Sequence, residues 1–206
     1  SRLRIADIGA GTGGMEKFLG QYGNLVGVEP NQTGRNLARK RGILLRAGTA
    51  EKTELPSNTF DVVCFLDVLY HRDIREDRAL VEAWRILKPG GVLVITDVAY
   101  PWLYSSNDVA VSGARRYTAS TLITTLVSHR YTPVFTTYIY FLLFPLVVLR
   151  RIWRKVFASA AKESDVGSVM PYINTLFLQI CELEARLLSF GRLPWGSSVI
   201  VVAQKG

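Results

Sequence analysis

Glycines and an acidic residue crowd into the run DIGAGTGG, Asp7 to Gly14, at the end of the apolar string LRIADI. A turn rich in glycine lets a ligand come close to the backbone, because no side chain blocks the approach. Glu29 ends the next apolar run, NLVGVE, and a carboxylate there can accept hydrogen bonds from two ribose hydroxyls. Together these features predict a nucleoside-containing cofactor lying across the carboxyl ends of neighbouring strands.

The glycine loop alone is ambiguous, because it also fits the dinucleotide-binding pattern G-x-G-x-x-G. Other features separate the two interpretations. The acidic Asp7 precedes the first glycine, where a dinucleotide site normally continues an apolar strand. Further candidate cofactor residues, Gly48 to Glu51 and Asp67 to His71, follow the third and fourth strand-like runs.

Short apolar runs alternate with helical periods up to Asp97, which is typical of a parallel sheet covered by helices. Asn31 is predicted to cap a helix that runs to Arg41. Asp73 is predicted to cap a second helix, with apolar positions at Leu80, Val81, Trp84 and Leu87. The five strand candidates are LRIADI, NLVGVE, ILLRA, FDVVCFL and GVLVITD.

The regular alternation stops after the fifth strand candidate. A polar and aromatic loop leads to a helix near Ser120 to Ser128, and Tyr131 to Tyr138 then has the pattern of a sixth strand. An amphipathic helix is predicted from about Pro171 to Phe190. The last residues, SSVIVVAQ, are predicted to form the closing strand.

The combination of DIGAGTG, GVEP, GTAEKTELPSNTFD, LDVLYH and LKPGG resembles the class I S-adenosylmethionine (SAM)-dependent methyltransferases. The resemblance runs from Leu3 to about Asp97. It implies an α/β fold with a Rossmann-like, doubly wound sheet of seven strands, the last of them antiparallel. It also implies that SAM is the cofactor. The pattern of the chain after the sixth strand predicts a helical insertion between strands six and seven.

The resemblance assigns roles at the cofactor site. Asp7 and Gly9 to Gly13 would hold the amino-acid portion of SAM, and Glu29 would hold the ribose. The stretch Ala50-Glu51 would meet the adenine edge, and Asp67 would form the floor beneath the sulfonium. The candidate cofactor residues are Asp7, Gly9, Ala10, Gly11, Gly13, Glu29, Pro30, Thr49, Ala50, Glu51, Asp67 and Val68.

The later part of the chain is similar to a bacterial, type 11-like subgroup of these enzymes, through AYPWLYS, RRYT, FLLFP and RLPWGSSVIVVAQK. Thr49 stands where the family often has Asp, so adenine recognition would rest on backbone groups or on Glu51. Asn107-Asp108 stands where the subgroup has His followed by Asp, and Gly113 stands near the place of a second His. We therefore expect that a proton acceptor of the subgroup is absent.

His71 is the first candidate for a catalytic base, because it follows the fourth strand at the expected methyl end of the pocket. A base is needed only if the acceptor is a hydroxyl or an acidic carbon. The alternative for His71 is a residue at a helix start that hydrogen-bonds only locally. Asp108 is the second catalytic candidate. The sequence has no cluster of residues with metal-ligand spacing, so no metal site is predicted.

The loop after the fifth strand carries the candidate substrate residues. In open α/β sheets such a loop emerges beside the ligand crevice, and arginine there could grip a carboxylate or a phosphate. The alternative is a loop pinned by pairing between Arg and Asp. The candidate substrate residues are Tyr104, Arg115, Arg116 and Tyr117.

The formal net charge of +8 belongs to one segment. Val109 to Lys162 contains eight Lys or Arg and no acidic residue, whereas the remainder carries 17 of each sign. This asymmetry favours an anionic partner, and a solvated basic face would explain it equally well. Because no RNA- or DNA-binding motif accompanies the charge, we expect a small-molecule or lipid-like substrate rather than nucleic acid. The oligomeric state is left open.

The string YIYFLLFPLVVLRRIWRK, Tyr138 to Lys155, is apolar and then basic. A membrane span needs about 20 apolar residues, and the part beyond the sixth strand is too short for one. We predict a cap of residues 139–195 that roofs the substrate pocket, within a single domain of residues 1–206. A shallow membrane or lipid contact is the alternative, so the protein is expected to be cytoplasmic and at most peripheral to a membrane.

Two other functions stay open at this stage. One is a SAM-binding protein without catalytic activity, and the other is a nicotinamide-dependent oxidoreductase. The two cysteines lie far apart in apolar runs, which predicts free thiols and a reducing compartment. The first residues already have a strand pattern, so we expect that this chain is a fragment from which an upstream segment is missing.

Overall fold

The computed structural model describes residues 2–157 and 171–206. Its centre is a seven-stranded sheet in the order β3-β2-β1-β4-β5-β7-β6. The strands are β1 (Leu3–Ile8), β2 (Gly23–Val28), β3 (Leu45–Arg46), β4 (Phe60–Leu66), β5 (Leu87–Val98), β6 (Tyr131–Ile139) and β7 (Ser198–Lys205). All seven predicted strands are present, and most of their bounds agree with the prediction within two residues.

The strand directions confirm the predicted doubly wound α/β sheet. The first five strands pair in parallel, whereas β7 pairs antiparallel with β5 and with β6. Because both neighbours of β7 run against it, β6 points the same way as β5. The carboxyl ends of β1 to β6 therefore meet at one edge of the sheet.

Helices cover the sheet and connect its strands. They are α1 (Glu16–Leu19), α2 (Gln32–Lys40), α3 (Glu76–Ile86), α4 (Ser106–Ala110), α5 (Ala119–Ser128), α6 (Phe144–Phe157) and α7 (Pro171–Leu188). The predicted cap of α2 is confirmed, since the Asn31 side chain accepts hydrogen bonds from the amides of Thr33 and Gly34.

The predicted start of α3 is wrong. Arg75, not Asp73, is the N-cap residue. Leu87 takes an extended conformation and pairs with Phe60 as the first residue of β5, because the proline that follows Lys88 prevents the helix from continuing. Val81 is 61% exposed and does not lie on the buried face of the helix.

The main hydrophobic core lies between one face of the sheet and the helices α3 and α5. The register partners Phe65, Ile95 and Val201 of the central strands are fully buried on this face. Leu80 of α3 and Leu122 of α5 are completely buried against them. This packing fixes the strands whose carboxyl ends form the candidate site.

The connection from β6 to β7 contains α6 and α7, as predicted for the cap. Pro145 falls in the first turn of α6, where a proline costs no helical hydrogen bond. The buried carboxylate of Glu184 in α7 accepts hydrogen bonds from the backbone amides of Tyr140 and Leu142. Arg151 of α6 lies 3.6 Å from the carboxylate of Asp108 in α4.

Three further findings concern the described residues. None of their helices is long and apolar enough to cross a bilayer. No group of His, Cys, Asp or Glu among them is arranged to hold a metal ion. Both cysteines are free thiols. The division of the whole chain into one domain stays a prediction.

Glu184→Ala should loosen the cap, because the change leaves two partly buried backbone amides without an acceptor. Each unsatisfied buried donor costs about 1–3 kcal/mol. We expect faster amide hydrogen exchange at residues 140–144 and a lower melting temperature. Glu182→Ala, at an exposed position of the same helix, is the matched control. Equal exchange in the two variants would contradict the assigned role of Glu184.

Candidate active site

A cleft of about 450 Å³ opens at the carboxyl edge of the sheet. It collects residues that follow β1, β2, β3 and β4, which lie side by side in the sheet although they are distant in sequence. Its lining residues are Gly9, Gly11, Glu29, Pro30, Asn31, Ala50, Asp67, Val68, His71, Asp73, Ile74, Val111 and Ser112. The cleft therefore lies where open α/β sheets bind their ligands.

The glycine loop packs directly on the turn after β4. Gly9 has a φ of +82°, and a Cβ atom there would lie 2.6 Å from Cγ2 of Val68. The amides of Gly9 and Ala10 both donate to the carbonyl oxygen of Val28, at 2.8 Å and 3.0 Å. Only glycine can adopt this backbone angle and also allow this close approach, which explains why position 9 is a glycine.

Glu29 holds the glycine loop and still has capacity for a ligand. Its carboxylate accepts hydrogen bonds from the amides of Gly11 and Asn31, both at 2.8 Å. Each carboxylate oxygen has a second lone pair, so Glu29 can also accept hydrogen bonds from two hydroxyl groups. This geometry fits the predicted contact with a ribose.

Asp67 lines the cleft in a strained backbone conformation. Its φ is +58°, its amide donates to the carbonyl oxygen of Thr96, and the Thr96 hydroxyl lies 3.4 Å from its carboxylate. Burial raises the pKa of the Asp67 carboxyl above its usual range. A carboxyl with a raised pKa is stabilised in its ionised form by a cationic ligand, which fits the predicted place beneath a sulfonium.

The stretch predicted to meet adenine contributes Ala50 to the cleft. The Thr49 hydroxyl accepts a hydrogen bond from the amide of Lys52 within a tight turn. The Glu51 carboxylate accepts from the amide of Arg75 at 2.8 Å, at the start of α3. Because both side chains already have partners in the fold, Ala50 is the member of this stretch that lines the cleft.

Comparisons with known proteins agree with this site. Residues 6–95 match the family model of the Methyltransferase domain (type 11). A glycine/sarcosine/dimethylglycine N-methyltransferase of Actinopolyspora halophila is 38% identical over 105 residues, which cover 46% of this chain and 18% of that protein. A ubiquinone/menaquinone biosynthesis C-methyltransferase of Idiomarina loihiensis is 33% identical over 120 residues, which cover 52% and 47%.

Among solved structures, a SAM-dependent methyltransferase, possible histamine N-methyltransferase, from Thermotoga maritima matches with a TM-score of 0.64. The match covers 100% of this chain and 83% of that one, at 24% identity. Residues 6–95 therefore match the class I SAM-dependent methyltransferases, and the seven-stranded sheet has the same fold. SAM is the cofactor that this match indicates, and glycine and carboxylate residues suited to it line the cleft described above. The chain spans less than half the length of the two curated relatives.

His71 lies at the rim of the methyltransferase cleft. Its amide donates to the carbonyl oxygen of Val68, its ring stacks on Tyr70 at 4.1 Å, and its backbone forms a bridge with Gly113. The imidazole is therefore placed by local contacts and also faces the cleft. Its catalytic role stays a prediction.

Asp108 is occupied by structural contacts. Its carboxylate accepts from the amide of Ser105 at 2.8 Å and forms a 2.7 Å ion pair with Arg116. Arg116 also donates to the carbonyl oxygen of Ala99, and both charged side chains are buried. This geometry matches the alternative in which Arg–Asp pairing pins the loop, and it leaves the proposed base role of Asp108 as a prediction without structural support.

The other candidate substrate residues also make contacts within the loop. Arg115 donates to the carbonyl oxygen of Ile74, and the Tyr104 hydroxyl donates to that of Gly113. Tyr117 is buried in the core. Among the described residues, the loop instead contributes Val111 and Ser112 to the cleft. Direct contact of the four candidates with a substrate stays a prediction.

Sequence reasoning missed three positions at this edge. Tyr100 and Tyr140 follow β5 and β6 with φ values of +59°, so they share the left-handed backbone of Asp67 after β4. Such strain in non-glycine residues concentrates at functional sites. Asp97 at the end of β5 is fully buried, and burial raises its pKa well above its usual range. Asp97 could have been found from the sequence, because it is an acidic residue at the end of a predicted strand. Nothing in the sequence indicates a positive φ at Tyr100 or Tyr140.

Gly9→Ala should weaken SAM binding about tenfold or more. A left-handed backbone costs a non-glycine residue about 1–2 kcal/mol, and the new methyl group would collide with Val68. Titration calorimetry with S-adenosylhomocysteine measures the effect, with circular dichroism as a check of folding. Gly14→Ala is the matched control, because open space surrounds that position. Equal affinities would contradict the assigned packing.

Proposed function

We propose that this protein transfers the methyl group of SAM to a small, amphiphilic acceptor that is lipid-like and anionic. The observation that carries the proposal is the cleft in which the glycine loop, Glu29 and Asp67 converge beside His71. The curated relatives support methyl transfer, and their two names give different acceptors. The class of acceptor is therefore argued from the cap and the charge of this chain.

The chemistry asks mainly for alignment. SAM supplies a methyl group that is already activated, so the protein has to hold the acceptor in line with the methyl–sulfur bond. Glu29 and the glycine loop would fix the position of the cofactor, and the Asp67 carboxylate would favour its positive charge. His71 would take the proton when the acceptor is a hydroxyl or an acidic carbon.

His71→Ala should lower kcat by about 10²–10⁴ with a smaller change in the SAM dissociation constant, because a base acts in the transition state. His129→Ala is the control, because His129 is the C-cap residue of α5 and does not line the cleft. The assay is S-adenosylhomocysteine release with a panel of fatty acids, isoprenoid quinols and lipid phosphates. Full turnover of His71→Ala at saturating acceptor would exclude the base role.

Calorimetry separates the competing functions before any acceptor is known. Binding of S-adenosylhomocysteine without NAD(P) is expected, and binding of NAD(P) alone would favour an oxidoreductase. SAM binding without product from any acceptor would favour a binding protein without catalytic activity. Methyl transfer to a polar, non-lipid acceptor alone would contradict the proposed acceptor class.

The cap exposes apolar side chains in stripes. On α6, Leu146, Leu149 and Trp153 lie three and four residues apart and are 53–63% exposed. Exposed side chains on α7 recur with similar spacing. They are Tyr172, Leu176, Leu183 and Leu187, and Phe190 follows the helix. Soluble monomers rarely expose large apolar patches, so these stripes indicate a surface that is covered in use.

An anionic lipid surface fits this cap best. The sequence of α6 continues from its apolar residues into RRIWRK, and no acidic residue occurs between Val109 and Lys162. Helices with an apolar stripe and flanking basic residues bind in the headgroup region of anionic bilayers. A peripheral contact of this kind would bring a lipid-like acceptor directly to the cap.

Leu146→Glu/Leu149→Glu should reduce co-sedimentation with phosphatidylglycerol vesicles at least tenfold, because two charges would enter the lipid interface. Val81→Glu and Val127→Glu, at exposed positions of α3 and α5, are the controls. Binding should weaken with rising salt and be slight with phosphatidylcholine. Equal vesicle binding of all variants would contradict the proposed lipid-binding surface. The proposal would also be contradicted if the wild-type protein did not bind vesicles but formed a dimer in light scattering, and the double variant abolished that dimer.

A further inference from the structure

Two buried carboxyl groups lie behind the glycine loop without a cation beside them in the described part of the chain. Asp7 is 2% exposed and Glu16 is 9% exposed. One oxygen of Asp7 and both oxygens of Glu16 have no hydrogen-bond partner among the described residues. Buried acids are normally paired, so this arrangement needs an explanation.

The two carboxyls are neighbours because of Gly27. Asp7 and Gly27 are register partners in β1 and β2, and such partners point to the same face of a parallel sheet. A Cβ atom at Gly27 would lie 2.6 Å from Oε1 of Glu16. The Glu16 carboxyl therefore fills the space that a side chain at Gly27 would occupy, beside Asp7. Glu16 itself begins α1, immediately after the glycine loop.

The surroundings disfavour two negative charges. Burial, and then the adjacent Glu16 carboxyl, raise the pKa of Asp7 to about 7, and burial also raises the pKa of Glu16. From the other neighbouring strand, β4, the register partner of Asp7 is the buried thiol of Cys64, whose pKa burial raises to about 12. From β2 the register partner is Gly27, which has no side chain. No positive group from these elements offsets the pair.

We propose that Asp7 and Glu16 share one proton in the cofactor-free protein, and that binding of the ammonium group at the amino-acid end of SAM releases this proton to solvent. Glu16 is then a positioning residue, which sets the charge of Asp7 without touching the cofactor. The inference rests on SAM being the cofactor and not on methyl transfer. It extends the role of the loop by assigning a residue outside the glycine motif.

The release of one proton makes cofactor affinity depend on pH. Below the pKa of Asp7, the association constant should rise about tenfold for each pH unit, and it should level off above that pKa. S-adenosylhomocysteine should show the same slope, because it keeps the amino-acid end and lacks only the sulfonium charge. Methylthioadenosine, which lacks the amino-acid end, should bind with no slope.

The test is titration calorimetry of the full chain between pH 5.5 and 8.5, in buffers of different ionisation enthalpy that count protons. Wild-type protein should release close to one proton at pH 6. Glu16→Gln keeps the volume and removes the second acid, so its affinity curve should shift to lower pH and its proton release at pH 6 should fall. Cys64→Ala changes the packing beside Asp7 without removing an acid, and it should keep the wild-type slope.

The cofactor-free protein gives a second measurement. Because folding raises the pKa of Asp7 from 3.8, the folded state holds the proton that the unfolded state loses. This contribution should therefore make stability fall as pH rises from about 4 to about 7, and Glu16→Gln should flatten the fall. Identical pH profiles for wild type and Glu16→Gln, in binding and in stability, would overturn the proposal.

The outcomes also separate this inference from the proposed function. SAM binding without proton release overturns the inference and leaves methyl transfer intact. Proton-linked binding of SAM without methyl transfer to any acceptor overturns the proposed function and leaves the inference on Asp7 and Glu16 intact. Failure of both SAM and S-adenosylhomocysteine to bind at any pH overturns both.

Discussion

The position of β1 between β2 and β4 is the constraint on which the cofactor cleft depends. Parallel pairing on both sides brings the glycine loop, Glu29 and Asp67 to the same edge of the sheet. The packing of Gly9 on Val68 then locks the loop to the turn after β4, and Glu29 holds the loop from the other side. A shift of one residue in either pairing would reverse the faces of these side chains and dismantle the site.

The sequence predicted the strands well, because they depend on local patterns, and it selected several residues that line the cleft, among them Gly9, Glu29 and Asp67. Apolar runs identify buried strands, and a glycine loop after a strand has few other uses. The start of α3 was wrong because Asp73 has the right residue type for a cap but lies in the cleft wall. The partners of Asp108 and the left-handed backbone of Tyr100 depend on tertiary contacts, and no local pattern encodes them.

Several arginines of the basic segment, Val109 to Lys162, are paired within the fold, which lowers the charge available to a partner. Arg116 forms a buried ion pair with Asp108, and Arg151 approaches the same carboxylate. Arg115 lies near Glu76 and donates to a backbone carbonyl. These arginines are tied to the fold, so the count of eight cations overstates the charge that faces a partner.

Uncompensated acids at the carboxyl edge help to explain the choice of cofactor. Burial raises the pKa of four carboxyls at or behind this edge, namely those of Asp7, Glu16, Asp67 and Asp97. A dinucleotide would bring the negative charge of its pyrophosphate into these surroundings, which adds repulsion to the cost of desolvation. SAM carries a sulfonium, an ammonium and one carboxylate, so its net charge is positive, and either cation stabilises the ionised form of a nearby acid. The same burial that makes these acids costly in the empty protein therefore favours a cationic nucleoside over an anionic one.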